Sequence, residues 1–478
     1  MSIINLFDIA SSGVTAQRQA MEVTGENIAN VNTPGYSRQE VVMENRPVTT
    51  SSGFALGSGV AIQTVRRSYD GMLQQQIVDG NSTYQQSLAR QSALEQIEPS
   101  FNELASDGLG KALDNFFGAW QDLSTNPQGT AERQALLSRS QILTDTFHQV
   151  SNSLASVAKS ANDNLVGITA DVTDNARNLA LVNTQIIATQ AVGGNPNELL
   201  DQRDLLLQKI SEKVGITTTL QADGSATVKL KGGEELVSGT KYATLYTSAD
   251  AAVPSANEIR LSGLGNPPAK AAGDLDISTT VGGTVGGVPN SLGKLGGTLA
   301  VRDTIVKDYR DKLDEIASQL VSTVNAQHRA GYGIDGTTGN NFFDPAGTTS
   351  ATISSASLVA AKIAAGTGSN TGDNLNALKL AAIQNKTDIA FSTGGASFDG
   401  FYNSLVSTVG IETQGAQQVT AQGTAFLKQL NTLRSSNSGV SLDEELVNLT
   451  KYQRAFQGSA KVISAATDML DIVMGLVR

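Results

Sequence analysis

Residues able to do chemistry are thinly spread along this chain. There are only two histidines, His148 and His328. They fall in separate helical stretches, so neither a two-histidine metal site nor a histidine-based triad has its members at a workable spacing. Both are expected as surface or rod residues. The absence of cysteine excludes thiolate ligands, disulfides and a cysteine nucleophile. The run GGVPNSLGKL resembles a phosphate loop, but Val288 stands where the first glycine is required and Leu295 where serine or threonine must hold magnesium. Asp335, Gly336, Thr337 and Gly339 share part of a calcium loop without its alternating acids or closing glutamate, so a turn accounts for them. Asp201 and Asp204 flank Arg203 on one helix and read as a solvated face rather than as an acid and a base. No cofactor, no metal and no enzyme is asked for by these residues.

Composition narrows the reading further. A chain of 478 residues is long enough for two to four domains and a sizeable core. Only 17% of residues are charged and 5% aromatic, with a single tryptophan, Trp120, which suits slender helices better than one thick globule. The formal charge of -11 argues against a nucleic-acid partner, because phosphates are neutralised by clustered Lys and Arg. The opening MSIINLFDIASSG has no basic residue before Arg18, and its apolar run is cut by Asn5 and Asp8, unlike a cleaved secretory signal. No stretch reads as membrane-spanning. The expectation is a cytoplasmic protein, or one exported without a cleaved signal.

The elements that position these residues are clearest at the two ends. Leu6, Gly13, Ala20 and Asn27 recur every seventh residue, and so do Ile9, Ala16, Val23 and Asn30. At the other end Leu442, Leu449, Phe456, Ile463, Leu470 and Val477 form one seam; Leu446, Gln453, Ala460, Thr467 and Met474 fill the second. This is a coiled-coil pattern. Ser441 and Glu444 predict a capping box, and a helix from about residue 442 to the end spans roughly 50 Å. Thr33-Pro34-Gly35-Tyr36 predicts a type II turn closing the first helix. Asn27 and Asn30 are expected to hydrogen-bond across subunits and set register; a frayed helix end with both asparagines in water is the plainer alternative.

Between the ends, helices are predicted over 70–98, 109–124 and 131–190, the last with Leu136, Leu143, Val150, Leu165, Val172, Leu179 and Ile186 in heptad phase. Asn195, Pro196 and Glu198 predict the start of a short helix that Gly215 ends. Residues 216–296 alternate with period two around Asp223-Gly224, a small β domain. Helical spacing returns from Val306 to Val324, and residues 330–400 read as loops plus a helix near NLNALKLAAI. The fold class expected is α+β: an elongated multi-domain rod with terminal coiled-coil helices and a long helical bundle carrying an inserted small β domain. Its divisions are an axial segment with turn and hairpin (1–67), a first rod part (68–197), a linking helix and β insert (198–296), a second rod part with a variable loop region (297–440), and an axial helix (441–478).

The stretch NIANVNTPGYSRQ (27–39) resembles the N-terminal signature of the axial proteins of the bacterial flagellum, and LDEELVNLTKYQRAFQGSAKVISAATDMLDIVMGL (442–476) resembles their C-terminal helix. LDNFFGAWQDLSTNP (113–127), NELLDQRDLLLQKIS (197–211), GKLGGTLAVRDTIVKDY (293–309) and the DEE at 443–445 are similar to the family of flagellar hook-associated protein 1. The resemblance covers the helical parts of the chain. It implies a non-enzymatic structural protein of the extracellular flagellum at the hook-filament junction, secreted through the type III export apparatus. It also implies ends that are disordered in the free subunit and pair on assembly, with Pro34, Gly35, Tyr36 and the seam residues forming the interface. The implied partners are further copies of the chain, the hook protein, a second junction protein and an export chaperone on Leu449, Phe456 and Ile463. The competing readings are another axial subunit of hook or rod, or a surface adhesin or enzyme seated in the β insert or in 330–400.

Overall fold

The computed structural model describes residues 3–476 apart from 47–48, 52–53, 102–107, 250–255, 272, 279–283, 286–287 and 290–292. Helix α1 (Ile3–Ala29) leads into a hairpin of β1 (Gln39–Asn45) and β4 (Val60–Arg67), with the short pair β2 (Thr49–Ser51) and β3 (Phe54–Leu56) between them. Four helices follow: α2 (Gly71–Ile97), α3 (Leu109–Thr125), α4 (Thr130–Ala191) and α5 (Asn197–Lys213). The 62 residues of α4 make a rod of roughly 93 Å at 1.5 Å per residue. Its heptad residues Leu136, Leu143, Val150, Leu165, Val172, Leu179 and Ile186 are all buried. The chain exposes 23356 Å², whereas a compact monomer of 49.8 kDa would expose roughly 17,000 Å². The excess is the signature of an extended body.

The β insert packs on the second half of α4. One antiparallel sheet runs β5 (Ile216–Leu220), β6 (Ala226–Leu230), β7 (Glu235–Ser238), β8 (Lys241–Tyr242); a second has the order β11 (Leu275–Asp276), β10 (Asn257–Leu261), β9 (Leu245–Ala249). A short pair, β12 (Thr284–Val285) and β13 (Val288–Pro289), follows. The β5–β6 turn uses Gly224 at φ 75, a conformation that favours glycine. Asn183 of α4 serves both strand ends, donating to the carbonyls of Ala226 and Gly239. The chain then returns through α6 (Gly293–Ala300) and one π-helical turn to α7 (Val306–Arg329). The GKLGG motif is explained by packing: a Cβ at Gly297 would lie 2.6 Å from the Gln86 carbonyl oxygen, so only glycine lets α6 approach α2 this closely. Helix α8 (Leu375–Ala382), the pair β14 (Ile389–Phe391) and β15 (Gly394–Ala396), α9 (Phe398–Ser438) and α10 (Leu442–Leu476) complete the chain.

Residues 330–400 are mostly irregular, yet they enter the core rather than projecting from it. Phe342 and Phe343 pack with Phe116 and Trp120 of α3, and the backbone groups this buries find side-chain partners. Asn325 accepts from the amides of Phe342 and Phe343 and donates to the Phe343 carbonyl. Arg133 donates to the carbonyls of Ala360, Ile363 and Pro127. Buried irregular backbone is stable only when served in this way.

His328, expected at the surface or along the rod, is fully buried. Its Nδ1 lies 2.7 Å from the Asn340 carbonyl, to which it donates, and Nε2 accepts from the Ala364 amide at 3.0 Å. The neutral ring thus clips two loop segments to α7. Burial pushes its pKa from 6.5 down to about 4, with Arg133 adding in the same direction. Between those values the unfolded chain takes up a proton that the folded chain excludes. Its contribution is therefore complete above pH 6.5 and declines towards pH 4, by at most about 1.4 kcal/mol per pH unit. The urea midpoint should fall more steeply across this window in the parent than in His328→Gln; equal slopes would refute the assignment.

Candidate functional site: the paired chain ends

Helices α1 and α10 lie antiparallel. Asn27 meets Glu445 at 3.2 Å near one end, and a Cβ at Gly13 would lie 2.9 Å from Ser459 Oγ further along. The α1 face is the predicted one: Ala16, Ala20, Val23 and Asn27 are buried, while Leu6, Ile9, Gly13 and Asn30 are half-buried. Small residues there bring the helix axes close and bury little apolar area.

On α10 the first predicted seam is used only in its middle. Leu449, Phe456 and Ile463 are half-buried, whereas Leu442 and Leu470 stay exposed and Val477 lies outside the described residues. The second seam is displaced by one residue. Glu445, Tyr452, Ser459 and Ala466 face α1, while Leu446, Gln453, Ala460, Thr467 and Met474 are exposed. A heptad repeat gives a spacing but does not choose between two lines flanking a common one. Here the short side chains opposite Gly13 and the carboxylate opposite Asn27 decide.

Gly35 adopts φ 88 and the Tyr36 amide donates to the Thr33 carbonyl at 3.2 Å, the predicted turn; Pro34 is exposed, Tyr36 half-buried. The turn folds the chain back so that Asn27 becomes the centre of a buried knot. Its Nδ2 donates to the Gln39 carbonyl at 2.9 Å and to Glu445, and its Oδ1 accepts from the Tyr36 hydroxyl at 2.8 Å and the Gln39 amide at 2.9 Å. Within the chain, both the donors and the acceptor of Asn27 are thus engaged. Asn30 likewise works locally, donating to the Glu26 carbonyl and accepting from Thr33. Arg38 closes the knot through Nε to Glu445 at 2.7 Å, and its amide donates to the Ser438 carbonyl. The Ser441 capping box is weak, at 3.5 Å from the Glu444 amide.

Asn27→Leu should therefore weaken the paired ends rather than strengthen the helix. Each buried group left unpaired costs about 1–3 kcal/mol. Amide exchange at Gln39 should rise sharply in the variant, and unchanged protection would contradict the knot.

A second polar layer ties the hairpin to α5. Asp201 accepts from the Ser37 amide and hydroxyl at 2.8 and 2.7 Å, and Arg67 donates to Asp201 and Asp204, both at 2.7 Å. Arg203 bonds Asp204 at 2.9 Å and the Gly224 carbonyl at 2.8 Å. Arg67, Asp201, Arg203 and Asp204 are all at least nine-tenths buried, correcting the reading of a solvated face. Only Asp204 carried a clue in its phase, lying one turn before the buried Leu207 on α5; Asp201 stands on the opposite side from Ile210 and gave none. Asn195, expected to cap α5, instead donates to Thr64, while Asn197 reaches Gln39 and Val65. Ser37, Arg38, Gln39, Arg67 and Asn197 carry no periodic signal of their own and emerge only from the fold.

Among the described residues, no group of three or more His, Asp or Glu is placed to hold a metal, and no helix is long and apolar enough to cross a membrane. A family model described as the flagellar hook-associated protein FlgK helical domain matches residues 94–343. Residues 7–36 match a flagella basal body rod protein model, and residues 434–476 match the C-terminal model of the flagellar basal body rod FlgEFG proteins. Flagellar hook-associated protein 1 of Salmonella typhimurium is 26% identical, covering 99% of this chain and 100% of the relative. That of Bacillus subtilis is 29% identical over 98% of this chain and 97% of its own length. The solved hook junction protein FlgK of Burkholderia pseudomallei has the same fold, with a TM-score of 0.67 at 16% identity, covering 76% of this chain and 100% of that one.

Proposed function

The chain belongs to the family of flagellar hook-associated proteins that this helical-domain model describes, and on that premise we propose that it is a structural subunit of the junction between flagellar hook and filament. The observation that carries the reading is the pairing of its two ends, α1 and α10, around the buried knot of Asn27, Arg38 and Glu445. A subunit that stacks by its ends needs them held in one register, and the knot supplies it. Beside and beyond its contact with α1, α10 carries Leu442, Leu446, Leu470 and Met474, each at least 45% exposed. An apolar line of this kind is covered when copies of the chain assemble side by side.

The role proposed is mechanical: the charged groups of the knot and the α5 layer are bonded to one another and hold the ends in place. The partners proposed are further copies of the chain, the hook protein, a second junction protein, and, before assembly, an export chaperone and the type III apparatus. Cells lacking the chain should make hooks without filaments, and a plasmid copy should restore them. Normal filaments in the deletion strain would sink the proposal.

A further inference from the structure

The paired ends and the hairpin form one unit, and the chain crosses from it to the rod at two places. These are Ser68–Asp70, between β4 and α2, and Gly439–Ser441, between α9 and α10. Both crossings are three residues long and lie side by side: Ser68 Oγ donates to the Asn437 carbonyl at 2.6 Å, and the Arg38 amide donates to the Ser438 carbonyl at 2.9 Å. Two adjacent short links define a single line, about which the unit remains free to swing. A third attachment away from that line is needed to fix its bearing.

Helix α5 supplies such an attachment. It sits far along the chain, beyond the 62-residue α4, and meets the hairpin through Ser37, Arg67 and Gln39. Arg67 reaches both Asp201 and Asp204 at 2.7 Å, its side chain 7% exposed, and its guanidinium lies 4.1 Å from the centroid of the Tyr69 ring. Tyr69 itself belongs to the first crossing, so Arg67 holds the crossing and the strut together. A planar cation with two carboxylates and a ring face tolerates little rotation. Burial also keeps the pairs from being screened by salt.

We propose that Arg67, clamped by Asp201 and Asp204, is the positioning residue that sets the angle of the paired ends against the rod, with α5 acting as a strut. This rests on reading the ends as the assembling segment, since the angle matters only if the ends are the fixed part of a larger structure. The clamp itself is a property of the single chain and is tested there.

The cysteine-free chain accepts spin labels at Lys451→Cys on α10 and Lys241→Cys on β8. Electron-electron distance measurement should give one narrow distribution for the parent and a broader one for Arg67→Lys, which keeps the charge at the clamp but not the planar group that stacks on Tyr69. The double change Arg67→Met with Asp201→Asn, which leaves Asp204 paired to Arg203, should broaden the distribution severalfold while the rod melts at an unchanged temperature. A distribution as narrow as the parent's, or a parent already as broad as the variant, would overturn the proposal. If the double variant fails to fold, Asp201→Asn alone, which takes one of the two carboxylates from Arg67 and leaves Asp204 in place, is judged by the same two criteria. Failure here would leave the deletion-strain phenotype untouched, so the clamp and the junction role fall separately.

Discussion

Deleting residues 442–478 should leave the rod folded and melting at its parental temperature while abolishing filament attachment. The reason lies in where the apolar burial sits. A fully buried Leu, Ile or Phe contributes about 1.5–3 kcal/mol, so losing six, about 9–18 kcal/mol, would remove as much as the roughly 5–15 kcal/mol that holds a whole domain. In the folded chain, however, Leu449, Phe456 and Ile463 are only half-buried and Leu442 and Leu470 are exposed. Among the described residues, no member of the large buried clusters comes from 3–67 or 441–476. The truncation therefore strips α1 of its partner without opening the rod core. Calorimetry should show the main transition unmoved, hooks should form, and filament subunits should appear in the medium. An earlier main transition, or attached filaments, would each contradict this division of labour between ends and rod.

Trp120→Ala should act in the opposite way, costing the rod about 3–5 kcal/mol. Trp120 is fully buried and stands against Phe116, Phe342 and His328, with centroids 6.5, 5.2 and 6.0 Å away. It is thus the surface on which the irregular segment after α7 is laid down. Removing the indole leaves a cavity that rigid neighbours on α3 and α7 cannot close. For a unit of this size the melting temperature should drop by roughly 10 °C. Limited proteolysis should become fast within 340–365 before the ends are attacked. A shift of only a degree or two, with the loops still protected, would show that the aromatic cluster does not anchor them.

Much of this architecture is local and was legible in the residues. Heptad spacing over 136–186 predicts α4 because an apolar stripe at that period can be buried only along a helix, and those residues are buried. Pro34-Gly35 predicts its turn because proline presets one φ and glycine accepts the positive one. Asp223-Gly224 marks its hairpin on similar grounds. The small residues of α1 announce a close helical partner, since Gly and Ala at seam positions only make sense beside another backbone.

What the residues left open depends on groups far apart in the chain. Whether α10 turns its 445 line or its 446 line inward is set by Asn27, Arg38 and Gly13, more than 400 residues away. Asp201 and Asp204 look solvated until Arg67 and Ser37 arrive from the hairpin; a carboxylate is buried only where a distant cation or donor compensates its lost hydration. His328 reads as a rod residue until the carbonyl of Asn340 and the amide of Ala364 close over both ring nitrogens. Periodicity records which side of an element is apolar, so it determines the helices and the pairing of the ends, while the backbone preferences of Pro34 and Gly35 determine the turn. The burial of a polar group is decided by its partners, and only the tertiary structure brings those partners together.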